Sequence, residues 1–294
     1  MTLRLQGIWS PMPTPFRKGG ELDEPRLGEL TDYLIDGGVD GLFPLGTTGE
    51  FAFLNRDERK RVVEVVADRA NSRVPVLAGV SDPSPTNAVS FAKDAESAGA
   101  DGVVATPPYY YSVDEEGIYK HFRMIYDSIS LPLILYNIPE WTHNLVSVPV
   151  VSRLVDEGVV VGMKYTEYNM LNLLRFIQAV GRKIAVFTGS DAMAYSCLEA
   201  GGSGAVISVS NILPKRASSI FDLVLAGKFR QAMEVQRGIL PAIEAAGVGH
   251  FPAGLKAAMR SAGFAVGEVR APQSPLTPEE NELVSTLVKR AGLK

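Results

Sequence analysis

The sequence has very few of the residues from which disulfide frameworks and zinc sites are built. It contains one cysteine, Cys197, and three widely spaced histidines among 294 residues. A single cysteine excludes an internal disulfide framework. No histidine belongs to an HxH or HExxH motif, so we predict no metal centre and no bound cofactor, although a metal site made from scattered Asp and Glu residues stays open.

The sequence also lacks a surplus of basic residues and any long apolar run. Lys and Arg number 29 against 33 Asp and Glu, which gives a formal net charge of −4. Nucleic-acid-binding proteins usually show a basic surplus, and a transmembrane helix needs about 20 consecutive apolar residues. The first residues, MTLRLQGIWS, do not follow the pattern of a signal peptide. We therefore expect a cytoplasmic protein with neither nucleic acid nor a membrane as its partner.

Eight short apolar runs alternate with longer helical patterns along the chain. The runs lack the polar-apolar alternation of a half-exposed strand, which is typical of parallel strands buried on both faces. Eight β/α units predict an α/β protein with a (β/α)8 fold, the TIM barrel. The predicted strands are 7–10, 41–45, 74–78, 102–105, 133–136, 159–163, 185–188 and 205–209.

Further helical patterns follow the eighth run. Thr277 is a predicted N-cap, with Pro278 at the first helical position and Glu280 at the third. No low-complexity linker precedes these helices. We predict a barrel over residues 1–224 and a C-terminal helical region over 225–294 that packs on it.

Lys164 follows the sixth apolar run, so the barrel fold would place it at the mouth, where active sites lie. A lysine there loses much of its hydration, which favours the neutral amine. A neutral amine can attack a carbonyl group and form a Schiff base. The alternative is a structural lysine that pairs with an acid at the rim, such as Glu167.

Tyr136 ends the preceding run and is close enough in the predicted barrel to reach the same ligand as Lys164. Its phenol could move a proton during Schiff-base chemistry or during C–C bond formation. The alternative is a tyrosine that only fills the top layer of the barrel.

The stretch GTTGE follows the second run. Gly46 lets the backbone approach a ligand closely, and Thr47 and Thr48 supply hydroxyl and amide groups that suit a carboxylate. A carboxylate beside a Schiff-base lysine indicates a 2-oxo acid. We predict that Glu50 holds the loop from behind. The alternative is an ordinary turn before a helix.

Taken together, these residues resemble the dihydrodipicolinate synthase / N-acetylneuraminate lyase family. The resemblance covers nearly the whole chain and rests on PMPTPF, GTTGE, PPYYY, LYNIP, Lys164, GSDA, GAVISV, GLKAAMRSAGF and PQSPLTPEE, in that order. It implies a (β/α)8 barrel with C-terminal helices, usually a homotetramer. It also implies a lyase of the class I aldolase type, in which pyruvate forms a Schiff base with a strand-six lysine.

The resemblance also implies roles for individual residues. Lys164 matches the Schiff-base lysine, and Tyr136 matches the tyrosine that relays protons. Thr47 and Thr48 match the pair that holds the pyruvate carboxylate. Ile207 matches a residue of strand eight beside the pyruvate.

A tyrosine that reaches into a neighbouring subunit's site is also implied, and Tyr110 matches it. Three consecutive tyrosines, 109–111, leave its register open by one residue.

Trp141 departs from the pattern of true dihydrodipicolinate synthases. These enzymes carry an arginine at its position, two residues after the proline of YNxP, which binds the carboxylate of the aldehyde substrate. Tryptophan cannot pair with an anion as arginine does. The change disfavours aspartate semialdehyde and favours a neutral partner, either hydroxyl-rich or aromatic. The alternative is that Arg17 or Lys18 supplies the missing cation.

Residues of the strand-six loop, Glu167 among them, are predicted to line the distal pocket.

Four functions therefore stay open. The first is an aldolase or lyase for a 2-keto-3-deoxy sugar acid or a sialic-acid-like compound, with pyruvate as one partner. The second is dihydrodipicolinate synthase itself, the third is a dehydratase or hydratase-aldolase, and the fourth is a barrel that binds a 2-oxo acid without turnover.

Overall fold

The computed structural model of the chain describes residues 3–293. Eight short strands form one parallel sheet, and each lies within or next to its predicted run. They are β1 (Gly7–Pro11), β2 (Gly41–Phe43), β3 (Leu77–Gly79), β4 (Gly102–Ala105), β5 (Leu133–Asn137), β6 (Gly162–Tyr165), β7 (Ala185–Thr188) and β8 (Gly204–Val206).

Helices connect successive strands and then continue beyond the last one. The connecting helices are α1 (Glu24–Asp36), α2 (Arg56–Ala70), α3 (Pro85–Ser97), α4 (Glu115–Tyr126), α5 (Pro139–Thr142), α6 (Val148–Asp156), α7 (Met170–Val180) and α8 (Ala194–Glu199), followed by α9 (Pro214–Leu225). The C-terminal helices are α10 (Phe229–Gly238), α11 (Leu240–Ala246), α12 (Ala253–Ser261) and α13 (Pro278–Arg290). Thr277 caps α13 in a capping box with Glu280, which confirms that predicted start.

The strands are ordered β2-β1-β8-β7-β6-β5-β4-β3, and every pair of neighbours is parallel. Two backbone hydrogen bonds join the ends of this order. The amide of Leu42 donates to the carbonyl of Pro75 at 3.0 Å, and that of Gly79 donates to Pro44 at 3.0 Å. The sheet therefore closes on itself, and the predicted (β/α)8 barrel is confirmed.

Several strand boundaries differ from the prediction, and those of β2 and β6 bear on the site. β3 begins at Leu77 rather than 74, and β8 ends at Val206 rather than 209. β2 ends at Phe43, since Leu45 adopts a φ of +62° that no strand residue can take. β6 begins at Gly162 rather than 159 and extends to Tyr165. Lys164 is consequently part of the strand, which fixes the direction of its side chain.

The barrel interior is filled by side chains that share one face of the sheet. Neighbouring residues of parallel strands point to the same side, and alternate residues along a strand point to opposite sides. Lys164 pairs with Tyr136 of β5 and with Phe187 of β7, so it belongs to the inward face. Its apolar neighbours there are Trp9, Phe43, Leu77, Val104, Ile134, Tyr136, Ile138, Phe187 and Val206.

The C-terminal helices α11, α12 and α13 pack on one another and join the main core through buried residues such as Leu255 and Val284. The predicted boundary after residue 224 lies one residue before the end of α9, and the division into two units stays a prediction. No helix among residues 3–293 is long and apolar enough to cross a membrane.

Candidate active site

Lys164 and Tyr136 form the centre of the site at the carboxyl ends of β5 and β6. The Lys164 side chain is buried, with 5% of its surface exposed. Its Nζ lies 4.0 Å from the centroid of the Tyr136 ring and 5.2 Å from that of Phe43. Within the described part of the chain, no carboxylate forms an ion pair with this amine. The alternative pairing with Glu167 is not seen, because that carboxylate bonds to the Tyr165 hydroxyl instead.

Gly189, one residue after β7, provides the space that the lysine side chain occupies. A Cβ atom at this position would lie 2.5 Å from Cε of Lys164 and would overlap Oγ1 of Thr166. Only glycine fits beside the extended lysine. GSDA is one of the motifs on which the family resemblance rests, but the sequence gave this glycine no role.

The GTTGE loop brings its hydroxyls to the tyrosine. Oγ1 of Thr47 lies 3.5 Å from the hydroxyl of Tyr136. Residues Thr47–Gly49 form a 3-10 turn whose hydrogen bonds begin at the amide of Gly49. The amides of Thr47 and Thr48 are therefore the unbonded donors at the start of this turn, and they suit an anion.

Glu50 ends the loop with a φ of +55° and points away from Tyr136 into the protein. Its Oε1 lies 2.5 Å from Nζ of Lys256 on α12, and both side chains are buried. Its Oε2 accepts a hydrogen bond from the amide of Arg270 at 2.8 Å. Burial lowers the pKa of Lys256 to about 8, although Glu50 opposes the shift. The prediction that Glu50 holds the loop from behind agrees with this geometry.

Asp191 provides the carboxylate on the opposite wall, after β7. It accepts hydrogen bonds from the amide of Val209 at 2.6 Å and from the hydroxyl of Ser208 at 3.1 Å. Burial raises the pKa of Asp191, while those hydrogen bonds and the positive charge of Lys164 act in the other direction. Asp191 thus connects the segment after β7 to the segment after β8.

A cavity of about 220 Å³ opens next to Thr47. It lies between the loops after β2, β4 and β5 and the segment before α12. Trp141, half exposed on the short helix α5, forms part of its wall. The sequence reasoning predicted Trp141 beside the substrate, and the structure places it in the same cavity as Thr47.

A family model for the dihydrodipicolinate synthetases matches residues 4–291. The chain belongs to this family. It is 36% identical over 292 residues to a 4-hydroxy-tetrahydrodipicolinate synthase of Rhodopseudomonas palustris, with 99% of this chain and 98% of the relative covered. A protein of the same name from Pelobacter propionicus is 34% identical over 280 residues, with 95% and 96% covered.

Solved structures of the family share the whole fold. A prophage protein of E. coli K12, which belongs to the dihydrodipicolinic acid synthase family and was solved in complex with pyruvate, superposes with a TM-score of 0.95. The two chains are 31% identical, and 99% of each is covered. Membership of this dihydrodipicolinate synthetase family makes the chain a pyruvate-dependent class I aldolase, a lyase that works through a Schiff-base lysine.

Three other predicted site residues have different surroundings. Ile207 is fully buried directly after β8. Tyr110 is 78% exposed and has a φ of +80°, and its ring contacts Tyr111, so neither ring lies in the chain's own cavity. Tyr109 lines that cavity instead. Glu167 bonds to Tyr165 and does not line it.

Arg17 and Lys18 line a different, larger cavity, together with Glu58 and Arg270. The residues around the Trp141 cavity are a separate set that includes neither cation. The alternative in which Arg17 or Lys18 replaces the family's arginine at this cavity therefore finds no support in the fold of this chain.

Proposed function

We propose that Lys164 is the Schiff-base lysine of this aldolase and that pyruvate is its donor substrate. The amine would attack C2 of pyruvate, and loss of water would give the Schiff base. Removal of a proton from C3 would give an enamine, whose C3 then attacks the carbonyl carbon of an aldehyde. Hydrolysis would return the free lysine and the 4-hydroxy-2-oxo acid. The observation that carries the proposal is the buried Lys164 amine, which lies 4.0 Å from the centroid of the Tyr136 ring and forms no ion pair within residues 3–293.

Tyr136 is proposed to move the protons of these steps. Its hydroxyl is in contact with Thr47, which connects it to the loop proposed to bind the carboxylate. The amides of Thr47 and Thr48, with Gly46 before them, would hold the pyruvate carboxylate, and Ile207 would pack against the pyruvate. No metal or cofactor takes part in this scheme, because the iminium ion activates C3 by itself.

The acceptor is proposed to be a neutral aldehyde. No Lys or Arg stands among the described residues that line the cavity of Trp141, so a carboxylate there would lack a cation. A 2-keto-3-deoxy sugar acid or a sialic-acid-like compound is one class of substrate that would yield such an acceptor.

A second candidate is 4-hydroxy-tetrahydrodipicolinate synthase, with aspartate semialdehyde as the acceptor. The names of the curated relatives favour it. Trp141 in the position of the family's arginine disfavours it. A dehydratase or hydratase-aldolase would use the same lysine with a changed distal pocket.

We also propose a cytoplasmic homotetramer, as the family resemblance implies. The exposed rings of Tyr110 and Tyr111 support a subunit contact, because exposed aromatic residues are enriched at interfaces. The unusual backbone of Tyr110 further supports a role in a neighbouring site, since strained residues concentrate where they are functional.

Borohydride trapping with pyruvate, followed by intact mass measurement and peptide mapping, tests the proposal. The expected result is a reduced pyruvate adduct on Lys164 that disappears in Lys164→Ala. Lys183→Ala is the matched control, since Lys183 is exposed and paired with Asp156. Absence of an adduct on folded protein would overturn the proposal and would favour a barrel that binds a 2-oxo acid without turnover.

A further inference from the structure

Five aromatic side chains surround the cavity next to Thr47. They come from four separate segments of the chain: the loop after β2, the loop after β4, helix α5 and the segment before α12. The rings are Phe51, Phe53, Tyr109, Trp141 and Phe251. Ile138, Ala52 and Pro252 complete an apolar lining. Polyhydroxylated chains bind where hydrogen-bonding groups are dense, whereas a lining of this kind suits a flat apolar group.

The ionisable groups around the cavity are paired, uncharged or placed behind its lining. Its one carboxylate, Glu50, is paired with the buried amine of Lys256. Burial and the nearby Asp82 raise the pKa of the Tyr109 phenol to about 12, so this ring is uncharged near neutral pH. A second cation behind the lining is Arg59, whose guanidinium lies 5.2 Å from the Phe51 ring and donates a hydrogen bond to the carbonyl of Ser81.

Apart from Oε1 of Glu50, which is ion-paired with Lys256, two side-chain oxygens of the lining are buried and have no hydrogen-bond partner in residues 3–293. One is Oγ1 of Thr106, a residue with 3% of its surface exposed. The other is Oε1 of Gln273, whose Nε2 donates to the carbonyl of Phe251 at 2.9 Å. A buried oxygen without a partner is destabilising, and a ligand hydroxyl group could satisfy it.

We propose that the acceptor substrate is an aromatic aldehyde, preferably one with a hydroxyl group on the ring, and that its ring occupies this cavity. Thr47 belongs to the lining of the cavity, and its Oγ1 lies 3.5 Å from the Tyr136 hydroxyl, so a ring placed there lies next to the residues proposed to form the Schiff base. Its volume exceeds the roughly 150 Å³ that suffices for benzene in an apolar cavity. The inference rests on the proposed function of Lys164.

The reaction that follows is an aldol addition without an oxidant or reductant. C3 of the pyruvate enamine bonds to the aldehyde carbon, and the aldehyde oxygen takes up a proton. Water then hydrolyses the Schiff base and frees Lys164. The net reaction joins one pyruvate and one aromatic aldehyde into a 4-aryl-4-hydroxy-2-oxobutanoate.

The test compares kcat/KM for condensation of pyruvate with benzaldehyde, 3-hydroxybenzaldehyde, glyceraldehyde and aspartate semialdehyde. Burial of the ring predicts at least a tenfold preference for the aromatic aldehydes over glyceraldehyde. A hydroxyl group on the ring should raise kcat/KM by a further factor of about two to ten, and Thr106→Val should remove this gain. An equal or greater rate with glyceraldehyde or aspartate semialdehyde would overturn the inference, and an unchanged hydroxyl preference in Thr106→Val would overturn the role of Thr106.

Variants of Trp141 provide the second arm. Trp141→Ala should lower kcat/KM for benzaldehyde about tenfold, and Trp141→Arg should also raise it for aspartate semialdehyde. Phe229→Ala is the matched control, because Phe229 on α10 is 48% exposed, as against 50% for Trp141, and lies outside the cavity, so its rates should not change.

Pyruvate trapping on Lys164 separates the two possible failures. Trapping without a preference for aromatic aldehydes would overturn the inference alone. Failure of trapping itself would overturn the proposed function and the inference with it.

Discussion

Lys164 and Tyr136 occupy directly paired positions on the adjacent strands β6 and β5, and the lysine amine lies over the tyrosine ring at 4.0 Å. The pairing is set by backbone hydrogen bonds, so neither side chain depends on a mobile loop for its position. The adduct between Lys164 and the carbonyl carbon of the substrate would therefore form within reach of the Tyr136 hydroxyl.

Tyr136→Phe keeps the ring and removes only the hydroxyl group. We expect kcat to fall by about 10²- to 10⁴-fold, the usual contribution of a proton-transfer group. Borohydride-trapped adduct should still form after long incubation, because Lys164 is unchanged. Steady-state kinetics of the condensation measures the effect, and an unchanged kcat would remove Tyr136 from the mechanism.

Gly189→Ala should block the site by a steric effect. The new Cβ would lie 2.5 Å from Cε of Lys164, and the lysine would have to leave its position beside Tyr136. We expect at least a hundredfold loss of kcat/KM, in line with the sensitivity of catalysis to displacements of about 1 Å. Gly238→Ala is the control, because its Cβ meets no atom within 4 Å and the helix should gain slightly in stability.

The buried ion pair of Glu50 and Lys256 should matter more for stability than any exposed pair. Lys256→Met leaves a buried carboxylate without its cation, and we expect the free energy of unfolding to fall by about 3–5 kcal/mol. Lys183→Ala removes one partner of an exposed pair and should cost about 1 kcal/mol or less. Denaturant titration compares the two, and equal losses would contradict the prediction.

Adding Glu50→Gln to Lys256→Met should recover part of the lost stability, since no buried charge then lacks a partner. The KM for pyruvate should nevertheless stay raised, because the GTTGE loop has lost its anchor on α12.

His121 predicts how stability depends on pH. Burial on α4 lowers the pKa of His121 to about 4 from its ordinary value of 6.5. The unfolded chain therefore binds more protons between pH 6.5 and 4, and the free energy of unfolding falls as the pH falls through this range. The loss attributable to this group is about 3 kcal/mol.

Urea titrations of the wild type and His121→Leu at pH 7 and pH 4 measure that loss. The leucine variant should lose less stability between the two pH values, by about the contribution of the histidine. His250→Gln is the control, because His250 is exposed and should leave the pH dependence unchanged. The same pH dependence in the leucine variant as in the wild type would refute the assignment.

Local patterns in the sequence were sufficient for much of the fold. Asn55 and Glu58 form the capping box of α2 that their spacing indicates, and the capping box at Thr277 does the same for α13. The apolar runs identified all eight strands, because a buried parallel strand has to be apolar on both faces. The boundary at Leu45 was missed because a positive φ in a leucine has no signature in the sequence.

The site was predictable where one residue type carried the chemistry and not where two distant segments meet. Lys164 is conspicuous as a lysine at the end of an apolar run. Lys256 contacts Glu50 across 206 residues of chain, and no periodicity connects the two. The GLKAAM and GSDA stretches were noted in the sequence, yet the roles of Lys256 and Gly189 follow only from the positions of their neighbours in the fold.

The anchoring of Glu50 by Lys256 and by the amide of Arg270 has a consequence for folding during synthesis on the ribosome. The strands and all residues of the proposed pyruvate site precede these two anchors in the chain, so a barrel can assemble from the emerging polypeptide while the GTTGE loop is not yet held. The ribosome has to extend the chain past Arg270, and the segment with Lys256 and Arg270 has to leave the exit tunnel, before the loop is held. We therefore expect a nascent chain that lacks these anchors to bind pyruvate less tightly than the finished chain.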